Sequence, residues 1–151
     1  MRTLIKVKPD FTKSGSSRFK VVVGLCPNSH TWQNGDGHDL ALDARSISGR
    51  IVHRAVDRID NVILTNMTNW TLDPKQLDES LLRKGINELR SLFRKYNPTT
   101  IICLGSQIYE RINHLHHNAA MHSVHHPAFV NRFAHSEVDE YIKTIKELLC
   151  H

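Results

Sequence analysis

Three short apolar runs dominate the folding choices open to this chain. Phe19-Lys20-Val21-Val22-Val23-Gly24-Leu25, Asn61-Val62-Ile63-Leu64-Thr65-Asn66 and Thr99-Thr100-Ile101-Ile102-Cys103-Leu104 are rich in β-branched residues and carry no polar alternation. Such runs read as strands buried on both faces. The segments between and after them have helical period. Ile51, Val52, Ala55, Val56 and Ile59 form one apolar face, opened by Ser48-Gly49-Arg50. Leu82, Ile86, Leu89, Leu92 and Phe93 form a longer one, with Asp78 or Ser80 as cap and Asn97-Pro98 as stop. Gly105-Ser106 starts a helix predicted to reach about Leu115. Met121–Val124 reads as a weaker fourth strand, and Ser136 as the cap of a last helix with Val138, Tyr141, Ile142, Ile145 and Leu149 inward.

Strands alternating with helices make βαβ units and a parallel sheet. The expected fold is therefore α/β, a three-layer αβα arrangement around a central, mainly parallel four-stranded sheet. A length of 151 residues suits one such domain, and 40% hydrophobic content suits a packed core. No run approaches the ~20 apolar residues of a membrane helix. The sequence MRTLIKVKPDF lacks a signal-peptide pattern, so a cytoplasmic protein is expected. Cys26, Cys103 and Cys150 are too far apart for a CxxC zinc motif or a disulfide framework.

The net charge of +5 is local. Residues 1–20 hold six basic side chains and one acid, whereas residues 21–151 hold 14 of each sign. Residues 1–18 thus read as a basic arm, able to touch phosphates or simply to be solvated, ahead of a domain from 19 to 151.

In a parallel sheet, ligands bind beyond the carboxyl ends of the strands. Here those ends are Gly24-Leu25-Cys26-Pro27-Asn28, Asn66-Met67-Thr68-Asn69, Leu104-Gly105-Ser106 and Val124-His125-His126-Pro127. They are polar and carry Gly and Pro. A long Asn-, Gly-, Asp- and His-rich segment follows the first of them, from 26 to 46.

Taken in order, these ends resemble the uracil-DNA glycosylase superfamily. Val-Gly-x-x-Pro lies after the first strand, and Leu64-Thr65-Asn66 closes the second. Pro98-Thr99-Thr100-Ile101-Ile102-Cys103-Leu104-Gly105 is similar to that superfamily's third-strand segment, and His126-Pro127-Ala128 to its His-Pro-Ser motif. The resemblance spans about Val21 to Arg132. It implies an enzyme that flips a nucleotide out of DNA and hydrolyses its N-glycosidic bond. It assigns His126 to the departing base oxygen and Asn66 to the edge of the flipped base. Gly24, Leu25, Cys26, Pro27, Asn28 and Ser106 would line the substrate pocket, with Trp32 or Trp70 a candidate stacking partner.

One departure concerns the chemistry. The superfamily usually has Asp, Asn or Glu within Gly-x-x-Pro, to position water. Here Leu25 and Cys26 stand there. Asp36 and Asp39, with His30 and His38 beside them, are the candidates to replace that group. The long polar segment suits a modified pyrimidine, such as a hydroxymethylated or glycosylated base. Phe129 could press into the base stack, with Arg132 and His125 on phosphates, or could pack as core. No metal, organic cofactor or iron–sulfur cluster is expected. DNA is the expected partner, and a monomer the expected state.

Two other classes stay open at this point. One is a DNA- or partner-binding module that uses the same cleft without catalysis. The other is a metal-dependent hydrolase, since six of eleven histidines lie between His114 and His126.

Overall fold

The computed structural model describes residues 10–11, 18–25, 46–68, 78–116 and 118–150. The elements are β1 (Asp10–Phe11), β2 (Lys20–Gly24), α1 (Ile47–Val56), β3 (Val62–Asn66), α2 (Glu79–Tyr96), β4 (Thr100–Leu104), α3 (Ser106–Ile112), β5 (Ala120–Val124), α4 (Pro127–Phe133) and α5 (Val138–Leu149). A single 3-10 turn, His135–Glu137, joins the last two helices.

The sheet order is β1-β3-β2-β4-β5. The four strands β3, β2, β4 and β5 are parallel, as expected for the α/β class. The short β1 adds an antiparallel edge, pairing Asp10 with Leu64 and Phe11 with Ile63. Part of the basic arm is therefore a fifth strand. The sequence offered no alternation by which to read two residues as a strand.

Register and parity explain why the strands are apolar throughout. Val22 stands beside Leu64 on one side and Ile102 on the other. With Leu104 they face α1, α4 and α5, against Val52, Ala55, Val130, Ile142 and Ile145. Their neighbours Val21, Val23, Ile63, Ile101 and Cys103 point the opposite way, against Leu82, Leu89 and Phe93 of α2 and Ile108 and Ile112 of α3. Both faces are thus covered by helices. Fully burying an aliphatic or aromatic side chain contributes roughly 1.5–3 kcal/mol, so these two cores drive the fold.

The helix ends follow local chemistry. Ser46 Oγ accepts the Gly49 N–H at 2.9 Å and caps α1. Asp78 caps α2 through Ser80 and Leu81. Asn97, at φ 44°, closes α2 by donating its N–H to Phe93 O, and Pro98 prevents continuation. Three ends differ from the sequence reading. Helix α1 stops at Val56, short of Ile59. Helix α3 stops at Ile112 rather than about Leu115. Ser136 lies inside the 3-10 turn, so α5 begins at Val138 without a side-chain cap. Among the described residues, no helix is long and apolar enough to cross a membrane.

Candidate functional site

The chain reverses direction at β2. It passes from β2 through α1 to β3 on one side, then from β3 through α2 to β4 on the other. Since α1 and α2 cover opposite faces, the carboxyl ends of β2 and β4 are the topological switch point, where open α/β sheets bind their ligands.

Gly24 ends β2 directly beside Asn66 of β3. The ladder then runs on past both strands. Met67 N–H donates to Gly24 O at 2.6 Å, and Thr68 N–H to Leu25 O at 3.1 Å. These bonds fix the segment that carries Asn66. Helix α2 supports it from below, because Gly85 lies where any Cβ would run into Met67 O and the Thr68 backbone.

Asn66 is 1% exposed, yet neither its Oδ1 nor its Nδ2 has a hydrogen-bond partner among the described residues. Strand alternation places it on the side of Val62 and Leu64, the α1/α4/α5 side. A buried, unpaired polar group costs about 1–3 kcal/mol. Such a cost at a strand's carboxyl end makes Asn66 a candidate for pairing with a ligand. Thr65 Oγ1 is likewise buried without a partner, but alternation turns it toward the α2/α3 core.

His126 immediately precedes α4 and caps it. Its Nδ1 accepts the Ala128 N–H at 3.1 Å, while Pro127 takes the first helical position, where a missing N–H does no harm. Burial pushes the imidazole below its ordinary pKa of 6.5. A neutral ring whose Nδ1 is an acceptor carries its proton on Nε2. The cap therefore sets the tautomer and leaves one N–H to donate. Helix α4 packs on α1, on the face of the sheet toward which alternation turns Asn66.

The remaining candidates from the sequence divide in two. Ser106 is exposed at the start of α3, directly after Gly105, whose φ of 128° is closed to ordinary residues. His125 is exposed and stacks on Phe129, with ring centroids 5.0 Å apart and planes at 21°. Its carbonyl accepts the Tyr141 hydroxyl, whose pKa burial pushes up. Phe129 is 46% exposed and so is not core. Arg132 lies over the ring of Phe133, 5.9 Å from its centroid. Cys26, Pro27, Asn28, Trp32, Asp36 and Asp39, together with His30, His38 and Trp70, lie outside the described residues.

Residues 127–133, to which the sequence reading assigned no helix, form α4. That helix presents Phe133, which the sequence offered, like Phe129, as a possible core aromatic; at 69% exposure it is not core. The signal was present: a histidine cap, a proline at the first turn, and rings at positions 125, 129 and 133.

The described histidines of the 114–126 stretch do not converge. His114 and His116 follow α3 on the approach to the amino end of β5, His122 sits within β5, and His125 and His126 lie past its carboxyl end. His116 Nε2 instead meets Asn97 Oδ1 at 3.1 Å. Among the described residues, no group of three or more His, Cys, Asp or Glu could hold a metal ion. Cys103 is sealed in the core and burial pushes its thiol up to about 12, so it supplies no nucleophile.

No family model matches the chain, and no curated protein matches it.

Proposed function

We propose that this protein is a DNA glycosylase of the uracil-DNA glycosylase type, acting in the cytoplasm as a monomer on a modified pyrimidine. The observation that carries the reading is the buried, unpaired amide of Asn66 at the carboxyl end of β3. An amide offers one acceptor and two donors. It can pair with the N–H and carbonyl of a flipped pyrimidine, which would repay its desolvation. An apolar ligand would leave all of it unpaired, and a purely phosphate ligand would leave its carbonyl unpaired.

His126 supplies the complementary function. Breaking the C1′–N1 bond leaves its electron pair on the base and an oxocarbenium-like sugar. The Nε2–H of a neutral imidazole, held by the cap to Ala128, can donate to the base oxygen as negative charge develops there. Water then adds to C1′, and its proton leaves to solvent or to the departed base. Asp36 or Asp39 remains the proposed group that positions this water.

The test is an abasic-site assay across oligonucleotides carrying uracil, thymine, hydroxymethylated and glycosylated pyrimidines. Alkali-cleavable product on a modified base, lost in His126→Ala, supports the reading. Rapid release of plain uracil alone would overturn the modified-base assignment. Tight DNA binding with no abasic product on any substrate would make the protein a binding module instead.

A further inference from the structure

An open row of rings runs from just before helix α4 along it. His125, which precedes the cap, and Phe129 and Phe133 of α4 are four residues apart in turn, with centroid separations of 5.0 Å and 5.1 Å. Phe129 is 46% exposed and Phe133 is 69% exposed. Only one other large hydrophobic among the described residues is exposed, Ile47 at the start of α1. Contiguous exposed apolar surface is uncommon on folded proteins and often marks a binding face.

The geometry argues against a single wedge. A wedge residue enters the base stack with both faces free. One face of Phe129 is already covered by His125, at only 21° between planes, and its other neighbour is the tilted Phe133 ring at 48°. The row acts as a unit. Its largest free surface is Phe133, and Arg132 is the sole charged side chain of α4.

We infer that this row is a stacking platform for unpaired DNA bases, so that the site is fed from single-stranded or locally open DNA. The chemistry of the face selects this occupant. Its exposed groups are π systems and one guanidinium, with no large exposed aliphatic side chain on α4. Bases stack on rings, and a phosphate pairs with Arg132. Bases inside a duplex already stack on each other and present only their edges. The platform also begins beside His126, the residue that caps the same helix. Nucleotides next to a flipped base would therefore reach it without further unwinding. The inference rests on the DNA-directed reading above, but its readout is binding and needs no excision.

The experiment measures fluorescence anisotropy of a labelled single strand of natural bases, and of the same strand annealed to its complement. Wild type, Phe133→Ala, Phe133→Leu and Phe133→Trp are compared, with circular dichroism to verify folding. Phe133→Ala should weaken single-strand binding by about tenfold or more, the loss of one base–aromatic stack. Duplex binding should change by less than about twofold, because no base is free to stack. Phe133→Trp should restore single-strand binding and Phe133→Leu should not, since leucine keeps the bulk but lacks the π face. Equal losses on both DNA forms would overturn the inference in favour of a duplex wedge. Full binding by Phe133→Leu, or by Phe133→Ala, would overturn it in favour of an apolar face that docks protein.

Discussion

The Nδ1 of His126 and the backbone N–H of Ala128 are joined by a 3.1 Å hydrogen bond that does two things at once. It ends the run of unpaired amides at the start of α4, and it leaves the histidine's other nitrogen to carry the proton. Structure and chemistry at this residue can be separated by substitution. Asparagine is a good cap, whereas alanine is not, by about 1 kcal/mol. His126→Ala should therefore lose both stability and base release. His126→Asn should keep most of the stability and still lose base release. Thermal melts alongside the abasic-site assay check this. A His126→Asn variant with full activity would show that the imidazole is not needed.

The same residue sets a pH dependence. Burial holds its folded-state pKa below 6.5, the ordinary value that the unfolded chain keeps. Between those two values the unfolded chain binds a proton that the folded protein does not. Stability should thus be level above about pH 6.5 and fall as pH drops through that window. A protonated Nδ1 also cannot accept from Ala128, so base release should decline only below that window, where the folded protein itself takes up the proton. Denaturant melts of wild type and His126→Asn from pH 5 to pH 8 should show a shallower acid decline in the variant. Parallel curves would rule out His126 as the cause.

Asn66 should trade stability for function. Asn66→Leu removes an unpaired buried amide and keeps a side chain of similar size. A gain on the order of 1 kcal/mol is expected, with loss of base release. Thr65→Val removes the neighbouring unpaired hydroxyl on the other face and should give a similar gain with activity retained. Urea denaturation of both variants is the measurement. A destabilised Asn66→Leu would mean that the amide is already paired in the folded protein.

Gly85 should not tolerate a methyl group. Helix propensity alone favours Gly85→Ala by about 1 kcal/mol. Against this, the new Cβ would stand 2.7 Å from Thr68 Cα and closer still to Met67 O, both backbone atoms that cannot swing aside. The clash should win, at a net cost of about 1–3 kcal/mol, because α2 must move away from the segment that holds Asn66. Reduced melting temperature together with reduced base release is expected. A stabilised variant would show that this contact is slack.

The basic arm can be shortened without touching the sheet. Residues 1–8 include Arg2, Lys6 and Lys8 and stop before the strand Asp10–Phe11. Their deletion should weaken DNA binding and flatten its salt dependence while leaving base preference as it was. Binding isotherms at several salt concentrations, with the base panel, test both halves. A changed base preference would place the arm in the pocket.

The amino-acid sequence by itself determined the layers of this protein. Unbroken runs such as Val21-Val22-Val23 and Ile101-Ile102 can be satisfied only by burial on both faces, and the helical period of Leu82, Leu89 and Phe93 supplies one of the covers. It also marked Asn66 and His126, because both sit where strands end. It did not reveal α4, whose start depends on a histidine acting as cap, or β1, whose two residues are a strand only because β3 offers an edge. Only tertiary structure decided that Asn66 is buried and unpaired, that Phe129 is exposed and stacked, and that His114, His116, His122, His125 and His126 fall before, within and after β5. The physical reason is common to all three. Periodicity encodes which face a residue takes, whereas partners and exposure depend on what distant segments bring to that face.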